Sequence, residues 1–321
     1  MIRTVVILVN YNGLKDTEKC VESLLNTSIH PKIVIVDNAS REAGIENIEK
    51  IHPEITILYS RENLGFGRGN NLGIKWALIN TQCEYVFILN NDTIVESNTL
   101  PVLEKTMHNH PNIGIVAPKI VMMGNPDILW YGGGDIDWWR GSARIPGYMG
   151  PTDSSIALTA RKVTFASGCA MLVKRELFES IGGFDKRYFM YVEDVDFSLR
   201  ALKNGWEIRY VPDSLVHHKG QGSNRIDDGP FVPLLDSKNP KMEFFIYHSV
   251  KNRLMNIWDN ASTLDSIKFF TVFPVYITVL ILRCLLKGKI VAMFKTMSAI
   301  RDFSKIRNQR PDMNFLRDKE S

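Results

Sequence analysis

The chain has 321 residues, of which 45% are hydrophobic and 23% are charged, so it can form one large globular domain with or without an appendage. The net charge is only +4, and the basic excess lies at the C-terminal end, where the chain from Arg283 onwards holds ten Lys and Arg and four Asp and Glu. This distribution excludes a uniformly basic nucleic-acid-binding protein.

The cysteines indicate the redox compartment. Cys20, Cys83, Cys169 and Cys284 are scattered and form no CxxC pair. This spacing favours neither a disulfide framework nor a zinc site and is typical of a reducing compartment. The first residues lead directly into a strand-like run without the pattern of a cleavable signal. We therefore expect the main domain to lie in the cytoplasm.

The first 118 residues alternate short apolar runs with segments of helical periodicity. Continuous apolar strands that alternate with helices predict a mostly parallel sheet covered on both faces. In such a sheet, ligands bind beyond the carboxyl ends of the strands. The predicted strands are residues 5–9, 32–36, 55–59, 85–89 and 113–117, and the predicted helices are residues 15–25, 43–51, 67–79 and 100–108.

Polar clusters follow three of these strands directly. They are Asn10-Tyr11-Asn12, Asp37-Asn38 and Asn90-Asn91-Asp92. Asp92 suits a divalent cation that bridges phosphates, although Asn and Asp also favour simple turns. Asp37 can accept hydrogen bonds from a ribose or a base, and its alternative role is to cap a helix.

A glycine-rich segment, residues 63–71, precedes the third predicted helix. Backbone N–H groups near Asn63, Gly65 and Gly67 can meet phosphates or sugar hydroxyls. The segment is not a dinucleotide-binding fingerprint, because it follows the third strand and its glycines have a different spacing.

The middle of the chain has a weaker pattern and many Gly and Trp residues between 118 and 161. The indole faces of Trp130 and Trp138 suit sugar rings, which makes them candidates for acceptor contacts. Core or lid residues are the equal alternative. Strands return between residues 163 and 174.

An acidic cluster, Glu193, Asp194 and Asp196, precedes a predicted helix at residues 197–203. The helix dipole alone can account for acids at this place. Three acids within four residues also repel one another, and a carboxyl group whose pKa is raised beside a cleft is a natural general base. His217 and His218 follow a predicted strand at residues 207–211, where one of them could contact a metal–phosphate site.

The C-terminal part contains an amphipathic helix at residues 243–258 and then an uncharged run at residues 269–282. This run is shorter than the roughly 20 apolar residues of a spanning helix. It can lie in the membrane interface, pack against the core or span the membrane. The basic residues that follow suit an anionic membrane surface, and a solvated tail is the alternative.

Taken together, these features resemble glycosyltransferase family 2, the inverting enzymes of the GT-A fold, and within it the rhamnosyltransferase-like branch. The resemblance covers residues 3–225. It is carried by Val9-Asn10-Tyr11-Asn12, Val36-Asp37-Asn38-Ala39-Ser40, Asn63-Leu64-Gly65-Phe66-Gly67, Leu89-Asn90-Asn91-Asp92, Gly183-Phe184-Asp185, Glu193-Asp194-Val195-Asp196 and His218-Lys219.

The resemblance implies a fold and a domain organisation. We expect an α/β GT-A domain at residues 1–225, with a donor half at about 1–118 and an acceptor half at about 119–225. A helical, membrane-associating region at residues 226–321 follows, with an apolar segment at 269–286 and a basic tail.

The resemblance also implies residue roles. Asp194 is expected to be the catalytic base, and Asp92 and His218 to contact the metal. Asn90 stands where the family has the first carboxylate of its DxD motif, which leaves less charge to hold a metal. The expected donor contacts are Asn10, Tyr11, Asn12, Asp37, Asn38, Asn63, Gly65, Gly67, Asn90 and Asn91. The expected acceptor contacts are Glu193, Trp130 and Trp138.

The function implied is transfer of a sugar, rhamnose among the candidates, from a dTDP- or UDP-linked donor to a hydroxyl of a glycan or polyprenyl-linked glycan. Mg²⁺ or Mn²⁺ is the expected cofactor, and the inner face of the cell membrane is the expected place. The alternatives are a sugar-nucleotide nucleotidyltransferase and a nucleotide-sugar or glycan-binding module that has lost catalysis.

Overall fold

The structure, a computed structural model, describes residues 3–220, 239, 241–309, 311 and 313. Part of the predicted basic tail and the predicted domain boundary at residue 225 lie outside these residues. The strands are β1 (Thr4–Asn10), β2 (Lys32–Asp37), β3 (Thr56–Tyr59), β4 (Tyr85–Asn90), β5 (Thr93–Val95), β6 (Ile113–Met122), β7 (Asn125–Tyr131), β8 (Asp135–Asp137), β9 (Ser142–Arg144), β10 (Arg161–Val163), β11 (Ala170–Lys174) and β12 (Glu207–His218). The helices are α1 (Leu14–Leu25), α2 (Glu46–Ile51), α3 (Gly65–Asn80), α4 (Thr99–Asn109), α5 (Ser155–Leu158), α6 (Arg175–Ile181), α7 (Glu193–Lys203), α8 (Met242–Asn260), α9 (Thr263–Leu286) and α10 (Ile290–Ile306).

The N-terminal half forms the parallel part of one central sheet, in the order β3-β2-β1-β4. These strands are continuous apolar runs because both faces of the sheet are covered, as in β1, where Val5 to Leu8 are fully buried. The register places Asn10 opposite Asp37, so their side chains meet at the carboxyl end of the sheet. The sequence prediction is confirmed for this half.

Beyond β4 the sheet is mixed. β11 runs antiparallel between β4 and β6, and β12 then lies parallel to β6. The sequence predicts a mostly parallel sheet and does not predict the antiparallel strand β11. Strand direction in this half depends on pairings between segments that are distant in the chain, and local patterns do not reveal such pairings. The division expected at residue 118 falls inside β6, so strands from both halves contribute to one sheet.

Most of the glycine-rich segment is part of a helix that begins two residues before the predicted start at residue 67. α3 begins at Gly65, and its glycines allow it to lie close to the sheet and to the segment before α7. A Cβ atom at Gly73 would lie 2.5 Å from a methyl group of Ile7, and one at Gly67 would lie 3.0 Å from Cβ of Phe184. Close helix packing therefore explains part of the glycine content.

The described residues from 241 onwards form the helices α8, α9 and α10, of which α10 packs along α8. α9 has 24 residues and continues through Pro274, so it is longer than the uncharged run in the sequence indicates. Among the described helices, it is the one that is long and apolar enough to cross a membrane. Most of its apolar stretch is unburied.

Candidate active site

A large cleft of about 1310 Å³ opens at the carboxyl ends of the parallel strands. It is bounded on its other sides by the start of α7 and by residues of α8 and α10. Most of the residues predicted from the sequence lie in its wall. They are Tyr11, Asn38, Asn63, Gly65, Asn90, Asn91, Asp92, Trp130, Glu193, Asp194 and His218.

Four predicted donor residues, Asn10, Asn12, Asp37 and Gly67, are not among the residues that line the cleft. Asn10 is buried and donates from Nδ2 to Oδ1 of Asp37 at 3.0 Å. Asn12 accepts the backbone N–H of Arg41 at 2.8 Å, which shapes the turn after β1. Gly67 lies against Phe184. These contacts fix the segments that carry the cleft residues Tyr11, Asn38 and Gly65.

Trp138 lies apart from the cleft. It lines a separate cavity of about 390 Å³ together with Trp139, Asp137 and Lys268. Trp130 is the one of the two predicted tryptophans that the structure places beside the site, with its ring 4.5 Å from that of His218.

The side chain of Asn38 fixes the part of the cleft wall that we call the donor wall, which Asn38, Asn63 and Gly65 line. Its Nδ2 donates to Oδ1 of Asn63 and to the carbonyl of Gly65, both at 3.1 Å. Its Oδ1 accepts the backbone N–H of Leu64 at 2.8 Å. One amide therefore ties the end of β2 to the start of α3, which explains why both segments reach the same side of the cleft.

Asp92 and His218 meet on the floor of the cleft, at 8% and 4% exposure. Oδ1 of Asp92 lies 3.2 Å from Nε2 of His218. The contact is an ion pair when the imidazole is protonated, and neither ring nitrogen of His218 takes part in a hydrogen bond among the described residues. His217 points the other way, with Nε2 at 2.8 Å from Glu96, because successive residues of a strand face opposite sides. Of the two histidines, His218 is therefore the one that faces the cleft.

The donor set at this point fits a divalent cation that is shared with a ligand. No group of three His, Cys, Asp or Glu side chains that could hold a metal occurs in the described part of the chain. One carboxylate and one imidazole leave most coordination positions to other oxygen atoms, as is usual for Mg²⁺ bound together with substrate phosphates. The buried ring nitrogens of His218, which make no hydrogen bond among the described residues, are consistent with this role.

Asp194 lies in the wall at the first turn of α7. Its Oδ2 accepts the backbone N–H of Gly168 at 3.0 Å, and its Oδ1 accepts that of Val195 at 2.9 Å. Burial raises the pKa of Asp194, and these two N–H donors oppose the shift. The residues before the helix, Tyr191 and Val192, both have left-handed backbone angles, with φ of 70° and 74°. Such strain is typical of turns that fix functional side chains.

The two other acids of the cluster have different surroundings. Glu193 is 5% exposed, and burial and the neighbouring Asp194 raise its pKa well above the ordinary value. Asp196 lies outside the cleft, where it accepts from Nε of Arg200 and from Nδ2 of Asn260, both at 2.8 Å. Glu193 and Asp194 are therefore candidates for a functional role, whereas Asp196 forms a buried ion pair with Arg200.

One wall of the cleft was missed at the sequence level. We define the α8–α10 wall as Lys241, Glu243, Phe244, Tyr247 and His248 at the start of α8, with Lys295 of α10. The spacing of the ring side chains at i, i+3 and i+4 on a predicted helix was the available signal, because it places them on one face. The approach of Lys295 depends on packing between helices that the sequence pattern does not give.

The comparison with known families decides the class of protein. The family model described as "Glycosyl transferase family 2" matches residues 5–182, which is more than half of the chain. The chain belongs to glycosyl transferase family 2. The predicted family is thus confirmed, and this chain is a glycosyltransferase. The matched region ends before Asp194 and His218, so the roles of these residues remain predictions.

Curated relatives agree with this class. The glycosyltransferase is 27% identical over 245 residues to N-acetylglucosaminyl-diphospho-decaprenol L-rhamnosyltransferase of Mycobacterium tuberculosis, which covers 68% of this chain and 77% of the relative. It is 26% identical over 225 residues to dTDP-rhamnosyl transferase RfbF of Shigella flexneri, which covers 68% of this chain and 70% of the relative.

A solved structure confirms the fold. The structure of GalNAc-T7 with UDP, GalNAc and Mn²⁺ superposes with a TM-score of 0.61, at 17% identity, over 81% of this glycosyltransferase and 49% of that chain. At this identity the likeness establishes the GT-A fold alone.

Proposed function

We propose that this glycosyltransferase moves a sugar, rhamnose, from a dTDP- or UDP-linked donor to a hydroxyl of a lipid-linked glycan, with inversion at the anomeric carbon. The observation that carries the proposal is the presence of the Asp92–His218 pair and Asp194 in one cleft. The names of the relatives from Mycobacterium tuberculosis and Shigella flexneri support the sugar and the class of acceptor.

The donor would bind at the carboxyl ends of β1, β2 and β4. Tyr11, Asn38 and Asn63 line this part of the cleft. Asp37 accepts Asn10 at Oδ1, so Oδ2 is the atom that we assign to the nucleoside. Asp92 and His218 would hold Mg²⁺ or Mn²⁺, which when bound supplies neutralisation of charge on the leaving diphosphate.

Asp194 would take the proton from the acceptor hydroxyl as the oxygen attacks the anomeric carbon. The raised pKa caused by burial makes the carboxylate a stronger base, and the N–H groups of Gly168 and Val195 fix its orientation. Because the base must be unprotonated, transfer is expected to rise with pH through this raised pKa. The buried Glu193 would bind the acceptor beside it.

The helices α9 and α10 would place the enzyme on the inner face of the cell membrane. Large apolar side chains are exposed along both helices, among them Val279 and Leu282 of α9 and Phe294 and Met297 of α10. An exposed apolar surface of this extent marks an interaction site. Contact with the membrane would bring the cleft to a lipid-linked acceptor.

Thermal unfolding with ligands tests the proposed donor site. We expect UDP or dTDP to raise the stability only when Mn²⁺ or Mg²⁺ is present, by about 2.7 kcal/mol at a hundredfold excess over the dissociation constant. Asp92→Asn should lose the metal-dependent part of this shift. Asp153→Asn removes an exposed acid outside the cleft and should keep it. An equal shift without metal, or no shift with any nucleotide, would contradict the proposal.

A further inference from the structure

The α8–α10 wall differs in charge from the floor of the cleft. Glu193, Asp194 and Asp92 are at the catalytic side, whereas the Lys and Arg side chains that line the cleft within the described residues are Lys241 and Lys295, both in this wall. Glu243 is the one carboxylate of the wall. An anionic ligand beside the three acids needs a bound metal cation to offset the repulsion between like charges. An anionic ligand at the α8–α10 wall does not, because Lys241 and Lys295 supply positive charge there.

A buried polar group faces the cleft from the same wall. His248 is 9% exposed, and its Nδ1 has no hydrogen-bond partner among the described residues. Burial, together with the charges of Lys251 and Lys295, lowers the pKa of His248 to about 4. The neutral imidazole can donate one N–H to an anion, which would satisfy the unpartnered atom.

Aromatic rings surround this histidine. The ring centroids of Phe244, Tyr247 and Phe189 lie 4.4, 5.0 and 5.4 Å from that of His248. Nζ of Lys295 lies 5.9 Å from the centroid of Tyr247. The wall therefore combines a cation and an apolar surface within one ligand's reach.

The position of Lys295 on α10 indicates what the rest of the ligand must be. Val291 lies one turn before Lys295, and Phe294 lies next to it; these two apolar side chains are 54% and 56% exposed. α10 packs against α9, which also exposes large apolar side chains. A ligand with its anionic group at Lys295 would meet an apolar surface on leaving the cleft, which suits a hydrocarbon chain and not a second nucleotide.

We infer that the α8–α10 wall binds the phosphate group of an isoprenyl phosphate or diphosphate, the lipid end of the acceptor. Lys241 and Lys295 pair with the phosphate oxygens, His248 donates to them, and the isoprenoid chain passes along α10. This inference rests on the proposed function for its biological meaning, and the binding site itself can be tested without sugar transfer.

The test measures binding of farnesyl diphosphate by titration calorimetry in the presence of EDTA, so that the proposed metal site cannot contribute. Farnesol and inorganic pyrophosphate separate the contributions of the chain and the phosphate. We expect Lys295→Glu to weaken binding of farnesyl diphosphate by roughly tenfold or more, since a charge-assisted contact becomes a repulsion. Lys287→Glu makes the same change on an exposed residue directly after α9, outside the cleft, and should bind as the wild type does.

A second variant separates this site from the donor site. Asp92→Asn should retain the binding of farnesyl diphosphate that is measured in EDTA. Equal affinity of the wild type and Lys295→Glu would overturn the inference, as would farnesol binding as tightly as its diphosphate, or loss of binding in Asp92→Asn. Failure of the proposed function would instead appear as an absence of metal-dependent nucleotide binding, with farnesyl diphosphate binding unaffected.

Discussion

Gly65 lies where the donor wall meets the segment before α7. Its φ is +76°, and a Cβ atom there would lie 2.1 Å from the carbonyl oxygen of Phe189. The same carbonyl accepts the N–H of Phe66 at 2.9 Å. A side chain at this position would therefore separate two parts of the cleft that a backbone hydrogen bond holds together.

The free energy of unfolding of the variant Gly65→Ala tests how much this close approach matters. Gly205 has a similar φ of +82°, and a Cβ atom there would meet no other atom within 4 Å, so Gly205→Ala isolates the backbone cost. We expect Gly205→Ala to lower the free energy of unfolding by about 1 kcal/mol. Gly65→Ala should lower it by about 3 kcal/mol, because the clash adds to the same cost. Equal effects in urea unfolding would show that the approach of Phe189 is unimportant.

The acids at the start of α7 show how far a sequence predicts single residues. The pairing of Asp196 with Arg200 follows from i, i+4 spacing on a helix and was available from the sequence. The bonds from Gly168 to Asp194 and from Asn260 to Asp196 join residues that are distant in the chain. Local spacing alone therefore does not separate the two acids; the family resemblance pointed to Asp194, and the tertiary structure shows that Asp194 lines the cleft while Asp196 lies in the interior.

At the scale of elements, the parallel strands and their polar ends were predictable because local apolar runs determine them. The full length of β12, which reaches His218, was not, since its continuation depends on pairing with β6 across a bulge between Val211 and Leu215. The sequence of α10 also showed no clear periodic pattern. For that reason the position of Lys295 in the cleft wall was not predicted.

The exposed apolar face of α9 and α10 leads to a prediction about membranes. Phe294 is 56% exposed in this face. Phe294→Glu should weaken binding to vesicles that contain phosphatidylglycerol by about tenfold, because an apolar contact is replaced by a charge that an anionic surface repels. Vesicle sedimentation measures the effect. Ser304→Glu adds the same charge at an exposed polar site of α10 and should change binding much less. Equal binding of Phe294→Glu and wild type would show that this face does not meet the membrane.

At the scale of the whole molecule, the fold brings three chemically different surfaces together. The carboxyl ends of the parallel strands supply polar groups for a nucleotide, and the start of α7 supplies the candidate base. The C-terminal helices supply lysines and an exposed apolar surface. Under the proposed function, one cleft that Asp194 lines would receive both a nucleotide-linked donor and a lipid-linked acceptor.

The most direct test of the proposed reaction compares wild type and Asp194→Asn in two measurements on the same samples. One is the rate of rhamnose transfer from its dTDP-linked donor to an N-acetylglucosaminyl-diphosphate lipid, and the other is the thermal shift with dTDP and Mn²⁺. We expect transfer by the wild type and a loss of about a hundredfold or more in Asp194→Asn, with an unchanged thermal shift, because a general base acts on the acceptor and not on donor binding. Wild-type turnover in Asp194→Asn would contradict the assignment of Asp194 as the base.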